Sequence, residues 1–109
     1  MRTLLAALAP VIAATMLAAP APASAQAAIE AAMNKAGCLA CHAKDKKIVG
    51  PSFKDIAAKY KGQDVVAKLM DKVRKGGSGS FGPVPMAPNP ADKISDADLK
   101  DAVEFILKS

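Results

Sequence analysis

Cys38-Leu39-Ala40-Cys41-His42 places two thiols and an imidazole within five consecutive residues. On a locally helical segment, positions i, i+3 and i+4 share one face, so all three side chains point at one ligand. C-x-x-C-H is the attachment signature of c-type haem: two thioether bonds fix the macrocycle, and the adjacent histidine sits beneath the iron. Cys38 and Cys41 are the candidate attachment residues and His42 the candidate proximal ligand. Other chemistries fit these residues less well. A thioredoxin-like C-x-x-C belongs in a sheet-containing fold, and no segment here alternates like a strand. A zinc site needs a further ligand of the usual kind, and His42 is the sole histidine. A plain disulfide leaves that histidine unexplained.

With no second histidine, the sixth iron ligand falls to a methionine, whose soft thioether suits an electron-transfer haem. Met33 lies on the buried stripe of the helix that leads directly into Cys38, so it is badly placed to reach the other haem face. Met70 continues an apolar helical stripe and reads as core filling. Met86 belongs to no helical pattern. It stands in a loop stiffened by Pro83, Pro85, Pro88 and Pro90, and it follows His42 by 44 residues, enough chain to wrap around a planar group. Met86 is the candidate distal ligand.

The elements that must position these residues are all helical. Ile29, Ala32, Met33 and Ala36 recur at helical spacing, with Gly37 as the stop. Phe53, Ile56, Ala57 and Tyr60 repeat the pattern after the Gly50-Pro51 turn, and Gly62 ends it. Val66, Leu69, Met70 and Val73 mark a third helix, with Asp64 as its expected N-cap and Lys75-Gly76-Gly77 as its close. Ser95, with Asp98 three residues on, resembles a capping box and starts a fourth helix whose stripe is Leu99, Ala102, Val103 and Ile106. Between the third and fourth helices, residues 76–90 carry too much Gly and Pro for helix or sheet, so something other than a backbone ladder must fix that loop.

The chain has 109 residues, of which 51% are hydrophobic and only 4% aromatic. That length holds one small domain and excludes a multidomain enzyme. Residues 1–25 read as a cleaved signal peptide: Arg2 is basic, an apolar run extends from Leu4 to Leu17, Pro20 and Pro22 break it, and Ala23-Ser24-Ala25 offers a small-residue cleavage site before Gln26. The run falls short of the roughly 20 residues that span a bilayer, and Pro10 interrupts it. Residues 26–109 then form the folded domain. Its interior is poor in large side chains: Phe53, Tyr60, Phe81 and Phe105 are the chain's aromatics. A cofactor is expected to serve as the missing core. Export places Cys38 and Cys41 in an oxidising compartment, where a thiol pair without a ligand tends to become a disulfide.

Taken together, Cys38-Leu39-Ala40-Cys41-His42-Ala43, Val49-Gly50-Pro51, Tyr60-Lys61-Gly62-Gln63 and Gly82-Pro83-Val84-Pro85-Met86-Ala87-Pro88-Asn89 resemble the short bacterial class I cytochromes c of the cytochrome c-551 type. The resemblance covers essentially all of residues 26–109. It implies an all-α fold of about four short helices wrapped around one covalently bound haem c. It also implies that the Pro51 carbonyl accepts the His42 ring N–H and that Asn89 orders the loop around the Met86 sulfur. One position departs from the pattern. Many relatives carry Trp five residues before the distal Met, where this chain has Phe81, which cannot donate to a haem propionate. That contact is then left to Lys72, Arg74, Lys75 or water.

The expected function is that of a soluble periplasmic one-electron carrier, not an enzyme. Loss of Arg2 with the leader takes the 15 basic side chains to 14, against 10 acidic ones. Lys35, Lys44, Lys46 and Lys47 flank the haem motif, and Lys75 and Lys93 flank the distal loop, so redox partners with acidic docking surfaces are expected. Nucleic acid binding is not expected without a basic helix face, nor is stable membrane insertion, and a monomer suits a small diffusing carrier. Two rival functions make different predictions. A haem enzyme or gas sensor would leave the iron open for a ligand, and a dithiol oxidoreductase would keep both thiols free.

Overall fold

The computed structural model describes residues 9–16 and 22–109. Arg2, the ends of the apolar run at Leu4 and Leu17, and Pro20 lie outside the described residues. Residues 9–16 form no regular structure, and Val11, Ile12 and Met16 are exposed. Four α-helices follow: α1 (Pro22–Lys35), α2 (Phe53–Lys59), α3 (Val66–Lys75) and α4 (Asp96–Leu107), with a 3-10 turn over Cys38–Ala40. Among the described residues there is no strand, only the isolated bridges His42 to Lys47 and Gly77 to Met86. The fold is the all-α arrangement that the helical spacing predicts.

Each helix begins and ends for a local reason. Pro22 opens α1 at a position where its missing N–H costs no bond, so it starts a helix as well as ending the apolar run. The expected cleavage point before Gln26 lies within the span of α1, and residues 26–35 carry the part that packs. Gly37, at φ 85°, takes a left-handed conformation that turns the chain out of α1 and into the 3-10 turn. Ser52 caps α2, its side chain accepting from the Asp55 N–H at 3.0 Å. In α4 the expected cap is present: Ser95 Oγ accepts from the Asp98 N–H at 3.2 Å, and Asp96 and Asp98 sit in the first turn. Asp64 does not cap α3. Val65 holds the N-cap position with no side-chain bond, because burying Val65 leaves Asp64 exposed outside the first turn.

The core lies where α4 packs against α1, α2 and α3. Met33 from α1, Ala36 just after it, Phe53 from α2, Ile94 before α4, and Leu99, Ala102 and Val103 from α4 form its buried cluster. Helix α3 has no fully buried residue despite its apolar stripe. Leu69 and Val73 instead line a cavity, and Ile106 of α4 does the same. The helices thus present two apolar surfaces, one to each other and one to a shared interior space.

Candidate cofactor site

The cavity measures about 290 Å³, and its walls come from every helix. Cys38, Cys41, His42 and Met86 all line it. The four residues singled out in the sequence are therefore brought to one place by three separate stretches of backbone geometry.

The first is the turn after α1. Cys41 and His42 both donate their backbone N–H to the Cys38 carbonyl, at 3.2 and 3.0 Å, which winds the segment as one helical turn and puts both thiols and the imidazole on the cavity side. Cys38 is half-buried and Cys41 exposed, and they are not joined by a disulfide. Burial pushes the Cys38 thiol above its ordinary range, opposed by its backbone hydrogen bond and reinforced by the neighbouring Cys41. Less thiolate at neutral pH slows oxidation to a disulfide.

The second stretch is the loop from Ala43 to Ser52, which wraps the imidazole. The His42 Nδ1–H donates to the Pro51 carbonyl at 2.7 Å. This contact, implied by the family resemblance, fixes the tautomer and leaves Nε2 for coordination. The Phe53 ring stacks on the imidazole at 5.7 Å between centroids and 21° between planes. Gly50 N–H donates to the Cys41 carbonyl at 2.8 Å, which draws the loop so close that a Cβ on Gly50 would lie 2.5 Å from His42 Cε1. The sequence marked Gly50 as part of a turn and of a matching stretch; that it also makes room for the ring was not legible there.

The third stretch is the Gly- and Pro-rich loop. Gly77 and Met86 exchange both backbone hydrogen bonds at 2.9 Å, so Met86 is held at the neck of a loop rather than on a free tip. Gly76 makes that neck possible, since a Cβ there would lie 2.3 Å from the Met86 carbonyl oxygen. Asn89 is buried, and its side-chain amide donates to the Ala87 carbonyl at 3.0 Å and to that of Val73 at 3.4 Å. It orders the loop through carbonyls on either side of Met86. Met33 also lines the cavity, but it is 1% exposed in the core on the helix that leads into Cys38, and Met70 packs against the core without lining the cavity.

The loop's tip is clasped by α2. Lys59 Nζ donates to the Ser80 carbonyl and lies 4.4 Å from the Phe81 ring centroid, and Phe81 meets Tyr60 edge-to-face at 6.4 Å. Nothing in the sequence pattern singled out Lys59. The three expected propionate cations also separate. Arg74 is engaged by Asn89, Ile94 and Asp96, and Lys75 pairs with Asp71 at 3.0 Å, so both are committed elsewhere. Lys72 lines the cavity, near Gly77. Val49, Phe81 and Val84 are exposed and also line the cavity, which puts its mouth at that edge.

The donor set fits a haem c: two thiols on one turn, an imidazole with Nδ1 engaged, a thioether from a separate segment, and walls that are otherwise mainly apolar. The comparisons agree with this chemistry. The family model described as Cytochrome c matches residues 26–109. The chain is 53% identical over 76 residues to cytochrome c2 of Rubrivivax gelatinosus, covering 69% of this chain and 89% of that protein. It is 50% identical over 72 residues to cytochrome c-551 of Azotobacter vinelandii, covering 65% of this chain and 84% of that one. Among solved structures, the crystal structure of wild-type Nitrosomonas europaea cytochrome c552 superposes with a TM-score of 0.65 at 42% identity, covering 72% of this chain and 96% of that one.

Proposed function

The chain belongs to the cytochrome c family, among the small class I members of the c-551 type, and on that footing we propose that it is a periplasmic one-electron carrier whose single haem c is attached through Cys38 and Cys41 and ligated by His42 and Met86. Family membership makes it a haem-containing electron-transfer protein and not an enzyme. The observation that carries the ligand assignment is the convergence of Cys38, Cys41, His42 and Met86 on one cavity.

Haem c, when bound, supplies a single reversible electron at its iron. The protein's residues hold and insulate it. Cys38 and Cys41 tether it through thioether bonds. The Pro51 carbonyl orients the His42 ring and raises its basicity. Gly77, by pairing with Met86, keeps the thioether from swinging away, so little rearrangement accompanies a change of oxidation state. Leu69, Val73, Leu99 and Val103 exclude water, and with Met ligation this raises the reduction potential. Lys72 is the cavity-lining cation and would be the one to meet a carboxylate of the group.

Residues 1–25 are the leader and 26–109 the working domain, cut before Gln26 on export. No helix among the described residues is long and apolar enough to cross a membrane. Partners are redox proteins with acidic docking surfaces, met by the exposed Lys35, Lys44, Lys46, Lys47 and Lys93 near the motif and loop. The carrier acts as a monomer and binds no nucleic acid.

Carbon monoxide added to the reduced protein tests the ligation. Resistance at neutral pH is expected for the wild type and ready binding for Met86→Ala, with a lowered potential in the variant. Ready binding by the wild type would instead favour an open-site haem sensor, and an unchanged visible spectrum in Met86→Ala would remove the ligand assignment.

A further inference from the structure

The loop over residues 76–89 leaves α3 and returns to it, and one side chain sits at the point of return. The Arg74 guanidinium donates through Nη1 to the Asn89 carbonyl at 3.1 Å and to the Ile94 carbonyl at 2.7 Å, and through Nη2 to the Asp96 carboxylate. The Arg74 side chain is only 21% exposed. Its three partners belong to different parts of the fold: the end of the Met86 loop, the turn before α4, and the first residue of α4. Beside it, the Val73 carbonyl accepts the Asn89 N–H at 3.0 Å.

We propose that Arg74 is a positioning residue for the Met86 thioether, setting how strongly the sixth ligand is held. The inference rests on Met86 being that ligand. A tethered ligand competes with free ones at an effective concentration fixed by how tightly its chain is held. Near Met86 the loop is restrained on its entry side by the Gly77 pairing and on its exit side by the Arg74 and Val73 contacts with Asn89, together with the Asn89 amide's own bonds to Val73 and Ala87. Releasing the exit restraint widens the volume that the thioether samples and lowers its effective concentration. The guanidinium suits the task because its planar fork reaches two carbonyls and a carboxylate at once, which the single ammonium of lysine does not reproduce. Arg74 does not itself line the cavity, and its bond to the loop is to Asn89, so it acts on Met86 through Asn89.

Imidazole titration of the oxidised holoprotein, followed in the visible spectrum, reads that competition directly. Arg74→Ala is expected to bind imidazole about tenfold more tightly than wild type, and Arg74→Lys to an intermediate degree. Met86→Ala, which removes the competitor, should bind more tightly than either. If Met86→Ala gains affinity while folded Arg74→Ala keeps the wild-type value, the proposal is overturned and the ligand assignment survives. If Met86→Ala gains nothing, the assignment fails and takes the proposal with it. Should Arg74→Ala not fold, Arg74→Lys is read in its place: raised affinity supports the positioning role and wild-type affinity overturns it.

Discussion

Gly50 shows how much a single missing methyl group can decide. The imidazole of His42 occupies the space a Cβ would need, with three ring atoms within 3.1 Å of it. Gly50→Ala is therefore expected to push the ring off the Pro51 carbonyl and cost about 1–3 kcal/mol, the usual penalty for overpacking. Urea unfolding of the holoprotein would measure that cost, and a change in its absorption spectrum would report the displaced ring. A stable variant with an unaltered spectrum would show that the loop can yield. At this scale the sequence was informative about which residue types matter and silent about how they are crowded. Cys38, Cys41, His42 and Met86 stood out because thiols, imidazoles and thioethers are rare and their spacing carries meaning. Lys59 did not, and Gly50 and Arg74 stood out for other roles, a turn and a propionate cation, because their partners are backbone carbonyls, a carboxylate and a ring brought close only by the fold, at sequence separations of 8, 21 and 15 to 22 residues.

The helices were legible in proportion to how much their boundaries depend on local chemistry. Ser95 and Asp98 form a cap whose donor and acceptor lie three residues apart, and the structure places it where the pattern does. Removing the hydroxyl by Ser95→Ala should lower the holoprotein's unfolding free energy by about 1 kcal/mol, readable in denaturant titration, with the visible spectrum unchanged because the cap lies outside the cavity. A spectral change would mean that the start of α4 helps shape the site. The start of α3 was misread because its boundary is decided by tertiary burial. A polar side chain at Asp64 has the right chemistry for a cap, but Val65 takes the position by packing, and no local pattern reveals that trade. The Gly- and Pro-rich loop was legible only as an exclusion of helix and sheet. Its bridge to Gly77 and its clasp by Lys59 rest on contacts distant along the chain.

Over the whole molecule, charge and cavity mouth have a joint consequence. The exposed lysines around the haem motif stand in a domain with 14 basic and 10 acidic side chains, and the cavity opens among Val49, Phe81 and Val84. Encounter with an acidic redox protein should be steered by the first and completed by the second. The bimolecular electron-transfer rate, measured by stopped flow, is expected to fall as salt is raised from low to physiological strength, where the screening length shrinks to about 8 Å. A rate indifferent to salt would assign the lysines to solubility alone. The return of Asn89 to the same turn of α3 from which the loop departs has a consequence of another kind. Because exit and entrance coincide, the segment is a detachable cassette: grafted whole, with the glycines and asparagine that close its neck, it can be replaced without shifting the register of any helix. The methionine half of the site can thus be exchanged as a unit, whereas the histidine half is woven into the chain between α1 and α2.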